Sequence, residues 1–346
     1  MKNKAVVSTL ICCTLFPTVV LAEESAADET LQAGSIPGEE SPNDEALKDG
    51  SIQGIEQGLS KAELLTAVNV PKEEGRFHGT LGTNVEVEQV RRDDGINEGK
   101  VKYTFAQGSF RHDDLPGWDF GFYSGREYLY SGDLFSASYD RGTNAIQEVF
   151  VNRNYGFEKG NIGWGVALKS ESIDERTTPE GKVFGSYQIT DRLDIHGYAM
   201  YHVEIKQNRG NFNYWELEPG FGYKIADNSG AWLNFRLQQG EWVPKQGAKE
   251  LETEWIIKPG VWYSWGKLSA SLWGEFGKFE KEASATGAHL WTETYSKVGI
   301  SANYPIAKNW RVFGETSYKW QDFKDGNDEE FGGYIPVFIA GINYSF

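Results

Sequence analysis

From residue 76 to the terminal Phe346, apolar and polar residues change places at almost every step, and this period of two limits the chain to one kind of element. In the last stretch Tyr334, Pro336, Phe338, Ala340, Ile342, Tyr344 and Phe346 share one face. Ile335, Val337, Ile339, Gly341, Asn343 and Ser345 share the other. Just upstream, Trp310, Val312, Gly314, Thr316, Tyr318 and Trp320 alternate with Arg311, Phe313, Glu315, Ser317, Lys319 and Gln321. Successive side chains of a strand point to opposite faces, so each segment reads as a strand with two unlike sides. Alternation sustained over about ten residues, with the charges on one side, is the pattern of a membrane-spanning barrel strand. A soluble sandwich alternates too, but its strands are shorter and its outward face is polar. Here aromatic residues stand near the strand ends, as at Trp310 and Trp320 or Trp255 and Trp265, the levels a membrane interface favours.

The same reading predicts strands over 76–90, 99–111, 118–130, 145–157, 161–173, 182–189, 193–206, 211–226, 229–243, 251–265, 267–282, 290–306, 309–323 and 333–346. That makes fourteen, an even number, as single-chain bacterial barrels have. Connections are expected to alternate between tight turns (159–160, 190–192, 226–228, 266, 307–308) and longer charged loops (91–98, 131–144, 174–181, 244–250, 283–289, 324–332). The expected fold class is all-β: a 14-stranded antiparallel transmembrane barrel behind an acidic, mostly disordered N-terminal segment. Insertion from one side puts the short turns, the N-terminal segment and Phe346 in the periplasm, with loops such as 324–332 outside.

Three domains are expected. Residues 1–22 carry Lys2 and Lys4, an apolar run from Ala5 to Leu21 interrupted by Pro17, and a small residue at Ala22, the form of a cleaved signal peptide. Both cysteines, Cys12 and Cys13, fall inside it, so no disulfide is expected in the mature chain. Residues 23–75 hold thirteen acidic residues against three lysines and no Trp, Tyr or Phe. Such a segment has too little apolar area to order itself. It is expected to stay in the periplasm, with one short helix capped by Ser60. From there it can fold back as a lumen plug through contacts to Lys102, Arg236 or Arg311. The barrel, 76–346, keeps −8 of the total charge of −16, which argues against a nucleic-acid partner.

No nucleotide-binding loop, nucleophile elbow or zinc-protease motif occurs, so no catalytic residue, metal or cofactor is expected and the chain reads as no enzyme. His196, His202 and Glu204 share a face, yet no third ligand stands at metal-site spacing. Glu216 and Glu218, two apart, are compatible with paired-carboxylate hydrolysis, but nothing beside them distinguishes an acid from a base. Both sets read as polar wall.

Tyr318-Lys319-Trp320-Gln321-Asp322, an acidic loop and Ala340-Gly341-Ile342-Asn343-Tyr344-Ser345-Phe346 together resemble the family of outer membrane protein G-like monomeric porins. The stretches Thr190-Asp191-Arg192-Leu193 and Glu216-Leu217-Glu218-Pro219-Gly220-Phe221-Gly222-Tyr223 are similar in kind. Length, tail and strand count look more like the cyclodextrin-specific outer-membrane channels related to it. The acidic segment departs from the porin pattern. The resemblance implies a monomer in the outer membrane that passes oligosaccharides, and a terminal Phe346 read by the outer-membrane assembly machinery.

By parity, Tyr123, Phe150, Phe184, Tyr198, Trp232, Trp262, Trp273 and Trp291 face inward, offering flat surfaces to the C–H faces of sugar rings. Glu204, Glu216, Arg236, Lys258, Arg311, Glu315 and Lys319 share that lumen and can bond hydroxyls. The expected function is passive diffusion of neutral glucans, which the resemblance narrows to cyclic ones such as cyclodextrins. The competing readings are a general non-selective porin, a barrel enzyme and a plugged structural barrel. The expected partners are the sugar solute and the surrounding lipid.

Overall fold

The structure, a computed structural model, describes residues 77–95, 98–132, 143–172, 175–206, 210–245 and 247–346. The expected signal peptide, the acidic segment with its possible plug and the helix at Ser60 lie outside these residues.

Fourteen strands follow one another: β1 Phe77–Arg92, β2 Gly99–His112, β3 Trp118–Gly132, β4 Thr143–Phe157, β5 Gly160–Glu171, β6 Arg176–Thr190 and β7 Leu193–Lys206. The second half adds β8 Gly210–Ala226, β9 Ser229–Pro244, β10 Glu250–Trp265, β11 Leu268–Ala283, β12 Ala288–Ala307, β13 Trp310–Asp325 and β14 Glu330–Ser345. Each pairs antiparallel with its neighbours, and β14 pairs with β1, so the sheet closes into a barrel without an edge. Closure answers the lipid, which offers no partner to a free backbone group. The seam runs from Arg92↔Gly333 to Thr80↔Ser345, and beyond it Gly79 and Phe346 exchange backbone hydrogen bonds of 2.9 Å in both directions. The rim where the chain enters β1 and leaves β14 is called the terminal rim below, and the opposite end the loop rim.

Burial is inside out. The least exposed side chains include Glu86, Lys258, Glu218 and Asn234, all at 2% or less, whereas Ile162, Val149 and Phe338 are 58–59% exposed. Polar residues turned to the lumen and apolar ones turned outward are what a bilayer requires of a barrel wall.

Three expectations need correction. Strand β6 begins at Arg176 and not at 182, so most of the expected loop 174–181 is ladder: Lys169 faces Thr178 and Val166 faces Gly181. Lumen-facing Arg176 and Glu180 give that stretch the look of a loop. Pro179 points outward, and pairing to β7 skips it, since proline has no N–H for the ladder. Strand β13 likewise extends to Asp325 and β14 starts at Glu330, which shortens the expected loop 324–332 to four residues. That turn is held by Asp325, whose carboxylate accepts from the backbone N–H of Asn327 and of Glu329, both at 2.9 Å. Finally, Lys102 does not reach the lumen. The buried positions of β2 are Val101, Tyr103, Phe105 and Gln107, so Lys102 stands on the lipid side.

Candidate functional site: the lumen wall

All eight aromatic residues expected in the lumen lie on inward positions of their strands, and so do all seven expected polar residues. They separate into tiers. Tyr123, Phe150, Phe184, Tyr198, Trp232, Trp262 and Trp273 stand between three and seven residues from the terminal-rim ends of their strands and form a belt there. Trp291 stands three residues from the loop-rim end of β12.

The belt has a repeated construction. Phe150 faces Gly121 across the ladder, Phe184 faces Gly163, Trp232 faces Gly260, Trp262 faces Gly230 and Trp273 faces Gly299. Phe105 and Phe313 face Gly125 and Gly341 in the same way. In each case a Cβ on the glycine would stand inside contact distance of the ring, so the ring occupies the side-chain space of its neighbour. A missing Cβ permits such close approach. The ring lies along the wall in the space its neighbour leaves, and Phe150, Trp232 and Trp273 keep 4%, 8% and 4% of their surface exposed. Within the belt the indole N–H groups of Trp232 and Trp273, and the hydroxyls of Ser271 and Ser317 close by, are buried with no hydrogen-bond partner among the described residues.

Beside the belt and above it the wall is a network of polar and charged groups. Lys258 Nζ lies 2.6 Å from Glu218 Oε2, Asn234 donates to Glu218 Oε1 at 3.0 Å, and His196 bridges Asn234 at 3.1 Å and Asp194 at 2.8 Å. Tyr198 donates to Glu216 and Glu218, and Tyr214 donates to Glu216 and Gln238. The Glu216/Glu218 pair is therefore tied into the wall on both members. Further round, Arg236 lies 3.5 Å from Glu254, which accepts from Tyr295 at 2.7 Å. Lys319 and Gln321 each donate to Glu293 at 2.6 Å. Glu204 is clasped by Arg176 at 3.1 Å and Lys206 at 3.4 Å. Arg311 and Glu315 share the inward face of β13 nearer the terminal rim. His202 stacks on Tyr214 at 4.4 Å, and among the described residues no group of three His, Cys, Asp or Glu is placed to hold a metal.

Trp291 belongs to a different assembly. It packs on Phe323 at 5.2 Å and Phe331 at 5.5 Å, and the Arg92 guanidinium lies over all three rings at 4.6–5.5 Å. Arg92 also pairs with Asp94 at 2.8 Å. The cluster ties the β1–β2 connection to the top of β12–β14, so Trp291 does not join the belt.

The sequence reading missed an apolar sector of the lumen. Val101, Tyr103, Phe105, Tyr123 and Ile146 are buried together, Ile335 packs on them, and Val337 and Ile339 continue the patch across β14. Their parity signalled it, but β2 inverts the polar-in rule there, with Lys100, Lys102 and Thr104 outward, and β14 carries apolar residues on both faces.

Residues 60–346 match the model of the OMPG-porin 1 family. No curated protein matches the chain. Among solved structures it is similar to the toluene transporter TodX of Pseudomonas putida, at 11% identity over 79% of this chain and 90% of that one, TM-score 0.42. It is also similar to OmpT, an outer membrane protein of Vibrio cholerae, at 13% identity over 81% and 100%, TM-score 0.43. A third is an anion-selective porin from Comamonas acidovorans, at 11% identity over 78% and 98%, TM-score 0.39. The family model spans the whole closed barrel with its polar lumen, and the chain belongs to the OMPG-porin 1 family of outer-membrane porins.

Proposed function

We propose that this porin passes neutral oligosaccharides by passive diffusion, with glucans, and cyclic ones such as cyclodextrins first among them, as its solutes. The observation behind this reading is the belt of rings set on cross-strand glycines within a polar, charge-lined lumen wall. A sugar ring presents apolar C–H faces and hydroxyls at its rim, so aromatic rings set among polar side chains suit both parts. Contacts of this kind are weak and spread over several sites, and a channel needs that, because a tightly held solute does not leave. In this reading the protein works as a monomer after removal of residues 1–22. The terminal rim faces the periplasm, and Phe346 serves as the signal to the assembly machinery.

Single-channel current in planar bilayers tests it. α-Cyclodextrin is expected to produce brief blockades. Trp232→Ala and Trp273→Ala are expected to shorten them roughly twofold to tenfold, the worth of about 0.5–1.5 kcal/mol per aromatic contact. Blockade by linear acidic sugars with none by cyclodextrin would overturn the neutral-glucan reading.

A further inference from the structure

The lipid-facing wall carries one group of charges that the channel reading leaves unused. Lys100 and Lys102 stand two apart on the outward face of β2. Arg126 on β3 faces Thr104, and Lys102 faces Tyr128, so Arg126 is one diagonal step from Lys102 on the same face. Side chains so placed are within about 8 Å of one another. Three like charges therefore crowd one patch of wall.

Elsewhere toward the loop rim, outward cations are matched. Lys278 pairs with Glu280 at 2.6 Å, Lys249 with Glu241 at 3.3 Å, Lys324 with Asp328 at 2.9 Å and Arg91 with Glu98 at 3.4 Å. Lys100, Lys102 and Arg126 have no ion pair with any described residue. Lys100 and Lys102 lie one and three residues from the loop-rim end of β2 and Arg126 six from that of β3, and Lys102 faces the outward Tyr128, so the group stands on the loop-rim half of the wall beside an outward aromatic. Aromatic belts mark the headgroup level, where a cation on the lipid face is tolerated. Polar outward residues adjoin the group: Thr104 beside Arg126, and Ser124 paired with Gln147.

We propose that Lys100, Lys102 and Arg126 form a binding site for the phosphate groups of a phosphorylated glycolipid of the outer leaflet, with Thr104, Ser124 and Gln147 meeting its sugar hydroxyls. A phosphate presents the counter-charge that the protein leaves out, and Arg126 can engage it through two parallel hydrogen bonds. The site rests on the orientation given above, with the loop rim outside.

Native mass spectrometry of the full chain in detergent tests it, with doubly phosphorylated lipid A, its dephosphorylated form, phosphatidylglycerol and inorganic phosphate as separate probes. Wild type is expected to retain one phosphorylated lipid A and little of the other three. Lys100→Gln, Lys102→Gln and Arg126→Gln are each expected to weaken retention about fivefold, the effect of one cation beside an anionic headgroup. Lys278→Gln, on another part of the outward wall, is expected to change nothing. Folding is verified on the same samples by channel current. Equal retention by the variants, equal retention of dephosphorylated lipid, or equal retention of phosphatidylglycerol would each overturn the site. Cyclodextrin blockade persisting in the variants separates such a failure from a failure of the channel reading.

Discussion

At the scale of single residues, the lumen owes its free cross-section to side chains that are absent. Trp232 lies where a side chain on Gly260 would be, so Gly260→Ala has to push the ring off the wall. Overpacking of this kind typically costs about 1–3 kcal/mol. Gly260→Ala is expected to lower both stability and single-channel conductance, and Trp232→Ala in the same chain should recover the conductance. Conductance that stays low in the double variant would show that the ring is not what narrows the pore. A second test concerns Lys258 and Glu218, 2.6 Å apart and at most 2% exposed. Removing one member strands a buried charge, so Lys258→Met should cost roughly 3–5 kcal/mol in urea unfolding from vesicles, and the pair Lys258→Met with Glu218→Gln far less. Additive losses would mean that the two do not interact. The inward direction of Trp232 and Lys258 follows from parity alone. Their partners do not, because opposing residues are fixed by register, and register depends on turns that periodicity leaves loose.

Among the elements, β6 shows where the reading of alternation stops working. The polar inward positions of a barrel strand resemble a loop wherever the outward positions carry little apolar weight, and β6 opens with Thr177, Pro179 and Gly181 outward. Only Val183, Tyr187 and Ile189 restore the contrast, and the legible strand starts beside them. The strand begins directly after Glu175, whose φ of 48° places it in the left-handed region that ends the turn from β5. Single cysteines placed from 177 to 181 make this measurable. Those at 178 and 180 should react with a small water-soluble thiol reagent through the lumen, and those at 177, 179 and 181 should be shielded by lipid. Uniform reactivity along the five positions would return the segment to a loop. Strands β7, β8 and β9 were legible nearly to their ends because strong outward apolar residues, such as Ile195 and Leu217, oppose strong inward charges, such as Glu204 and Glu218.

For the whole molecule, fourteen strands and closure were readable because each segment repeats one rule, whereas the division of the lumen was not. That division needs residues from many strands to be placed at one height. The wall puts flush rings in the terminal-rim half and most of its ion pairs from mid-wall to the loop rim, so ions and sugars meet overlapping but unlike surfaces along one path. Pairing cancels most of the field, but acidic side chains outnumber basic ones on the inward positions of the described strands, and residues 76–346 carry −8 overall. A lumen of one net sign concentrates ions of the other. The channel is therefore expected to prefer cations, read as the sign of the reversal potential across a KCl gradient. The preference should fade between 0.1 M and 1 M salt, as the screening length falls from about 10 Å to about 3 Å. A neutral sugar carries no charge for that field to act on, so the duration of cyclodextrin blockades should stay constant over the same salt range. Anion preference at 0.1 M would show that the inward acids do not set the field. Blockades that change length with salt would show that the charged tier, and not the aromatic belt, holds the sugar.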